Sequence, residues 1–285
     1  MKIIILLGFV HILFTVAPVR AAIKDTTLSV PSSVYFNVAY GADPKQVMDI
    51  YLPSGRSVNT TKLMFLVHGG SWSGGDKNGF KPYIDSLSRH LTDYAFVNLN
   101  YRLANATQNK FPAQENDVKA AMDFVIKKSA EYHVSQNVVL LGASAGAHLA
   151  LLQAYKYSYP VKVKAVISFF GPSDFNYMYE NPMFPQVPQL LELLLGGNPS
   201  NNKAAYEQSS PINFVTAQSC PSLLFQGGKD PLVNPKQSEL LKDKLEKEGV
   251  PAKLVVYPNE GHGWRGPLLG DSFDKITTFL QENVP

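Results

Sequence analysis

Three side chains far apart in the sequence have the types and the order that acyl-transfer chemistry needs: Ser144, Asp230 and His262. Ser144 is the centre of Gly142-Ala143-Ser144-Ala145-Gly146, a G-x-S-x-G run. Residues 137–141 before it are apolar and β-branched, and residues 148–154 after it are rich in helix formers. The serine therefore falls on a strand-to-helix turn, the context in which such a run presents a nucleophile. A serine hydroxyl is weak unless a base takes its proton and an acid orients that base. Asp230, in Gly227-Gly228-Lys229-Asp230-Pro231, follows an apolar run at 222–227, and His262, in Asn259-Glu260-Gly261-His262-Gly263, follows another at 252–257. Each thus lies in a loop just past a strand, where open α/β sheets carry their sites.

Competing residues are weaker candidates. Asp174 also follows a strand-like run, at 163–169, and is the alternative acid. Glu260 is too close to His262 for a separate role and shapes the loop. His148 lies one helical turn below Ser144 and reads as a satisfied core histidine; His90 and His133 sit in helix-like segments. A tetrahedral intermediate needs donors for its oxyanion. His68-Gly69-Gly70-Ser71-Trp72 follows the apolar run 63–67, and its glycines leave backbone N–H groups accessible. The expected donors are the N–H groups of Gly70, Ser71 and Ala145, with Gly69 able to replace one. His68 is then structural, and Trp72 is expected to wall the substrate site.

The elements that must hold these residues alternate along the chain. Two strands, at 33–38 and 47–52, flank a turn at 41–44. Strands follow at 63–67, 95–101, 137–141, 163–169, 222–227 and 252–257, with helices at 80–91, 115–132, 148–154, 235–248 and 271–281 between and after them. The expected fold is α/β, a mostly parallel eight-stranded sheet with helices on both faces. The stretch 174–216, rich in aromatics and prolines, breaks the rhythm and is a cap-like or lid-like insertion or a cover for the sheet edge.

Bulk properties narrow the function classes. Residues 1–21 read as a cleavable signal peptide: Lys2, an apolar run at 3–16, Pro18, and small residues before a cut after Ala21. That run is too short for a comfortable membrane span of about 20 residues, so a secreted or periplasmic chain with no stable span after cleavage is expected. Removing it leaves 24 basic residues against 23 acidic, a net charge of +1, which excludes the concentrated positive face of a nucleic-acid binder. Residues 22–285 form one domain large enough for a single core. Cys220 is the lone cysteine and packs. Phosphate-loop, dinucleotide and zinc patterns are missing, so no cofactor and no metal is expected.

Taken together these motifs resemble the α/β-hydrolase superfamily. The narrower resemblance is to the hormone-sensitive-lipase-like and BD-FAE carboxylesterases (bifunctional acetylxylan and feruloyl esterases) and to the related kynurenine formamidases. It rests on His68-Gly69-Gly70-Ser71-Trp72 with Gly75-Asp76-Lys77, Asn100-Tyr101-Arg102-Leu103-Ala104, and Phe111-Pro112-Ala113-Gln114 leading into Asp117. The serine run, Gly228-Lys229-Asp230-Pro231 and Gly261-His262-Gly263 complete it. Ser71 stands where the lipase-like branch usually has a third glycine, which favours the HGG-x-W branch. The resemblance implies a serine carboxylesterase acting on short-chain, acetyl or feruloyl esters of small molecules or oligosaccharides. An arylformamidase-like amidase, a peptidase on the same scaffold and a non-catalytic binding protein are the other readings.

Overall fold

The computed structural model describes residues 30–285; the expected leader and its cleavage point lie outside them. Eight strands form one sheet: β1 (Ser33–Ala39), β2 (Val47–Leu52), β3 (Lys62–Val67), β4 (Tyr94–Leu99), β5 (Val138–Ala143), β6 (Ala165–Phe169), β7 (Ser222–Gly227) and β8 (Ala252–Tyr257). Their order is β1-β2-β4-β3-β5-β6-β7-β8. The first two strands make an antiparallel hairpin joined antiparallel to β4, and every later pairing is parallel.

The central strands are continuously apolar because both of their faces are covered. In β3, Leu63, Phe65 and Val67 enter one core while Met64 and Leu66 enter the other. The alternation of side chains along a strand thus feeds two layers from one run of residues. The helices are α1 (Lys81–His90), α2 (Ala113–Lys127), α3 (Ser129–Tyr132), α4 (Ala145–Lys156), α5 (Phe175–Glu180), α6 (Val187–Leu195), α7 (Lys203–Gln208), α8 (Lys236–Lys247) and α9 (Pro267–Asn283). Buried side chains of α2, α4 and α8 share the first core, and those of α1 and α9 the second.

Two helices differ from the expected spans. The helix read at 115–132 is two: α2 ends at Lys127, and α3 ends at His133, whose left-handed backbone (φ 53°) stops it. The closing helix starts four residues earlier, at Pro267, whose fixed φ suits a first helical turn. The insertion at 174–216 contributes α5, α6 and α7. Phe175, Leu191, Leu194 and Tyr206 of these helices are fully buried in the same core as α4, so the insertion is a packed layer on that face.

Candidate active site

Ser144 lies between the last residue of β5 and the first of α4 with φ 54° and ψ −121°, a backbone region that non-glycine residues rarely enter. Two hydrogen bonds and two close backbone approaches hold it there. Its N–H donates to the Phe169 carbonyl at the end of β6 (2.9 Å), and its carbonyl accepts from the His148 N–H (3.0 Å). Gly146 lies so close to β3 that a Cβ would sit 2.0 Å from the Val67 carbonyl oxygen, and one on Gly142 would meet the Gly146 oxygen at 2.3 Å. The two glycines of the motif let helix, turn and neighbouring strand approach this closely.

Parallel pairing sets Val67 opposite Gly142, which brings residues 68–72 over the turn. A Cβ on Gly69 would meet Ser144 Cβ at 3.2 Å. Gly70 has φ 124°, and Ser71 and Trp72 continue in the left-handed region at 51° and 58°. The Gly70 carbonyl accepts from the Ser73 and Gly74 N–H groups, closing the loop. The N–H groups of Gly70, Ser71 and Ala145 donate to no protein group among the described residues. His68 supports the loop from below: its Nδ1 bonds the Gly69 carbonyl (2.7 Å), and its ring stacks on Tyr101 at 4.3 Å. Burial holds its pKa below the ordinary imidazole value.

Asp230 and His262 meet. Strands β7 and β8 pair in register to Gly227 opposite Tyr257, so their two loops leave the sheet side by side. The His262 Nδ1 is 2.8 Å from Asp230 Oδ2. Asp230 is 1% exposed. Its other oxygen accepts the N–H groups of Leu232 (2.8 Å) and Val233 (3.0 Å), and Gln226 Nε2 donates to Oδ2 (3.1 Å). Ser238 in turn donates to Gln226 Oε1 (2.9 Å). A carboxylate held by four donors takes the Nδ1–H of the imidazole as one of them, which leaves Nε2 free as a base. The His262 side chain is 16% exposed and tilts against the Phe170 ring at 4.4 Å.

The other candidates fall elsewhere. Asp174 does not reach His262; it caps α5, accepting from the Tyr177 N–H (3.0 Å). The Glu260 carbonyl accepts from Lys229 N–H (2.9 Å) and ties the acid loop to the histidine loop. His90 faces Asp274 on the surface. His148 is fully buried between helices, as its position one turn below the serine suggests. Cys220 is buried and free, and burial pushes its thiol up to about 12. Among the described residues no cluster of His, Cys, Asp or Glu could hold a metal ion, and no helix is long and apolar enough to cross a membrane.

Trp72 requires a correction. It does not wall the substrate site: it is 2% exposed, its Nε1 donates to His148 Nδ1 (3.1 Å), and its ring meets Phe175 edge-on. The left-handed backbone at 71 and 72 turns the indole into the core on the α4 face. The cleft beside His262 is lined instead by residues that motif reading does not flag, among them Phe170. Its backbone is also left-handed (φ 44°), with its N–H on the Phe225 carbonyl (2.7 Å). Gln226 was legible in principle, as the one amide in an apolar strand. A cleft of about 920 Å³ opens here, touching Gly69, Ala143, Phe170 and His262.

Comparison with known proteins shows what the chain is similar to. The BD-FAE family matches residues 48–245. Probable carboxylic ester hydrolase LipM of Mycobacterium tuberculosis is 29% identical over 70% of this chain, which spans about half (47%) of that relative's length. Kynurenine formamidase of Meyerozyma guilliermondii is 27% identical over 74% of this chain and 81% of its own. Among solved structures, a truncated carbohydrate esterase from gut microbiota superposes with a TM-score of 0.74 at 24% identity, over 89% of this chain and 97% of its own. The sheet order is that of the α/β-hydrolase fold. A match running from the second strand to the helix after Asp230, on that sheet, makes this chain a member of the BD-FAE family.

Proposed function

We propose that this protein is a serine carboxylic-ester hydrolase with Ser144 as nucleophile. The observation that carries the reading is the Asp230–His262 hydrogen bond of 2.8 Å in loops at the same end of the sheet as the strained Ser144 turn. Ser144 Oγ attacks the ester carbonyl carbon while His262 Nε2 takes its proton. The carbonyl oxygen becomes an oxyanion that accepts from the Gly70, Ser71 and Ala145 N–H groups. When the intermediate collapses, the C–O bond to the alcohol breaks and His262 returns the proton to the leaving oxygen. Water, deprotonated by the same imidazole, then attacks the acyl-serine and releases the acid and Ser144. Asp230 holds the imidazole tautomer and faces the positive charge that forms.

Acetyl and feruloyl esters fall within this reading through the family, and the named hydrolase and esterase relatives support it. We further propose that the chain is exported, a reading that the leader-like composition of residues 1–21 supports. The formamidase relative supports a second reading, hydrolysis of an N-formyl bond with the same residues. The test is a panel of p-nitrophenyl esters beside N-formylkynurenine. Ester turnover in excess, falling by about three or more orders of magnitude in His262→Ala, is the expected result. Turnover of the formamide alone would replace the first reading with the second.

A further inference from the structure

The cleft beside His262 is far larger than an acetyl group needs. Its volume of about 920 Å³ lies toward the upper end of the roughly 300–1,000 Å³ seen for small-molecule pockets. Its lining includes Ala143, the residue before Ser144, and Gly69, where a Cβ would sit 3.2 Å from Ser144 Cβ, and it extends into the gap between α1 and α9, on the sheet face opposite α4. Its polarity is graded. The inner lining is Leu87, Leu141, Phe169 and Phe273, all buried, whereas the charged lining residues Asp76, Glu260 and Arg265 are partly or fully exposed. An apolar inner end with charge at the mouth fits a hydrocarbon chain that enters from a polar ester head.

We propose that this cleft binds the acyl chain of the substrate and selects medium-chain esters, octanoyl in length, over acetyl esters. The proposal rests on the reading of Ser144 as nucleophile. The acyl group is the part that stays on Ser144 after the first step, so it takes the space running inward from Ala143 and Gly69. The alcohol must leave and water must replace it, which needs the open side next to the part-exposed His262 imidazole.

Gly79 supplies a direct probe. It lines the cleft, a Cβ there would meet nothing within 4 Å, and its backbone does not lie in the left-handed region. Gly79→Trp therefore adds an indole at the cleft lining without a clash at its base. The experiment compares kcat/KM for p-nitrophenyl acetate and octanoate in the full chain. Burial of a methylene is worth about fourfold at most, so a rise of at least about tenfold from acetate to octanoate is expected. Gly79→Trp should lower the octanoate-to-acetate ratio by at least about tenfold. A wild-type ratio at or below one, or a ratio that Gly79→Trp leaves unchanged, overturns the proposal. Product inhibition checks it without a variant: octanoate should compete at concentrations at least about tenfold below acetate, and equal potency overturns it. Failure to turn over any ester, with Ser144 unlabelled by a fluorophosphonate, would instead remove the ester-hydrolase reading beneath it.

Discussion

At the residue scale, His148 is to the oxyanion loop what Asp230 is to His262. Its Nδ1 accepts from the Trp72 indole N–H (3.1 Å), its Nε2 donates to the Ser209 carbonyl (2.6 Å), and its ring stacks on Phe175 at 4.4 Å. One neutral imidazole thus joins the loop, the serine helix and the insertion. His148→Leu leaves an indole N–H and a carbonyl buried without partners, at about 1–3 kcal/mol each. Urea unfolding should report a loss of roughly 2–6 kcal/mol, and ester kinetics a lower kcat with KM little changed. His148→Gln, which keeps one acceptor and one donor, should recover much of both; equal behaviour of the two variants would mean the ring only fills space. The positions of Ser144, Asp230 and His262 past the ends of β5, β7 and β8 were readable because each follows a recognisable apolar strand. Trp72 was misread because the sign of φ at Ser71 and Trp72 decides which side the indole takes, and composition carries no mark of it.

At the scale of elements, close approach of backbones sets the serine turn. Gly146→Ala pushes a methyl into the Val67 carbonyl, and overpacking of this kind costs about 1–3 kcal/mol. Denaturant unfolding should show that loss together with reduced ester turnover, because β3 carries the oxyanion loop. A second tie joins the hairpin to the end of that loop: Lys77 Nζ is 2.8 Å from Asp49 Oδ2, with both side chains buried, and the Asn37 N–H donates to Asp49 Oδ1. Asp49→Ala strands a buried ammonium and should cost about 3–5 kcal/mol in the same measurement; a loss under about 1 kcal/mol would match a surface pair instead. The strands were legible because their two-sided burial forces unbroken apolar runs. The break between α2 and α3 at Lys128 was not, since the apolar spacing runs through it and only the local backbone (φ −101°, ψ 12°) departs from a helix. The Asp49–Lys77 tie was likewise hidden, as it joins residues 28 apart through topology.

At the scale of the molecule, burial of His148 couples stability to acidity. Burial lowers its pKa to about 3, whereas the unfolded chain carries an ordinary imidazole near 6.5. Between those values the unfolded state binds the extra proton, so stability falls as pH falls. The contribution is about 1.4 kcal/mol per pH unit, present in full above about pH 6.5 and lost progressively toward about pH 3. Urea midpoints measured at intervals from pH 7 to 4.5 should drop for the wild type and drop less steeply for His148→Gln; parallel slopes would remove His148 as the cause. The carboxyl ends of β3, β5, β7 and β8 carry residues 68–72, Ser144, Asp230 and His262 at one end of the sheet. Trapping the reactive residue tests directly whether Ser144 forms the acyl-enzyme. The protein is incubated with a fluorophosphonate, the modified peptide is identified by mass, and Ser144→Ala is run beside it. One adduct per chain on Ser144, loss of ester turnover in step with labelling, and an unlabelled, inactive but folded Ser144→Ala are expected; an adduct on another residue, or ester turnover surviving in Ser144→Ala, would rule out Ser144 as the nucleophile.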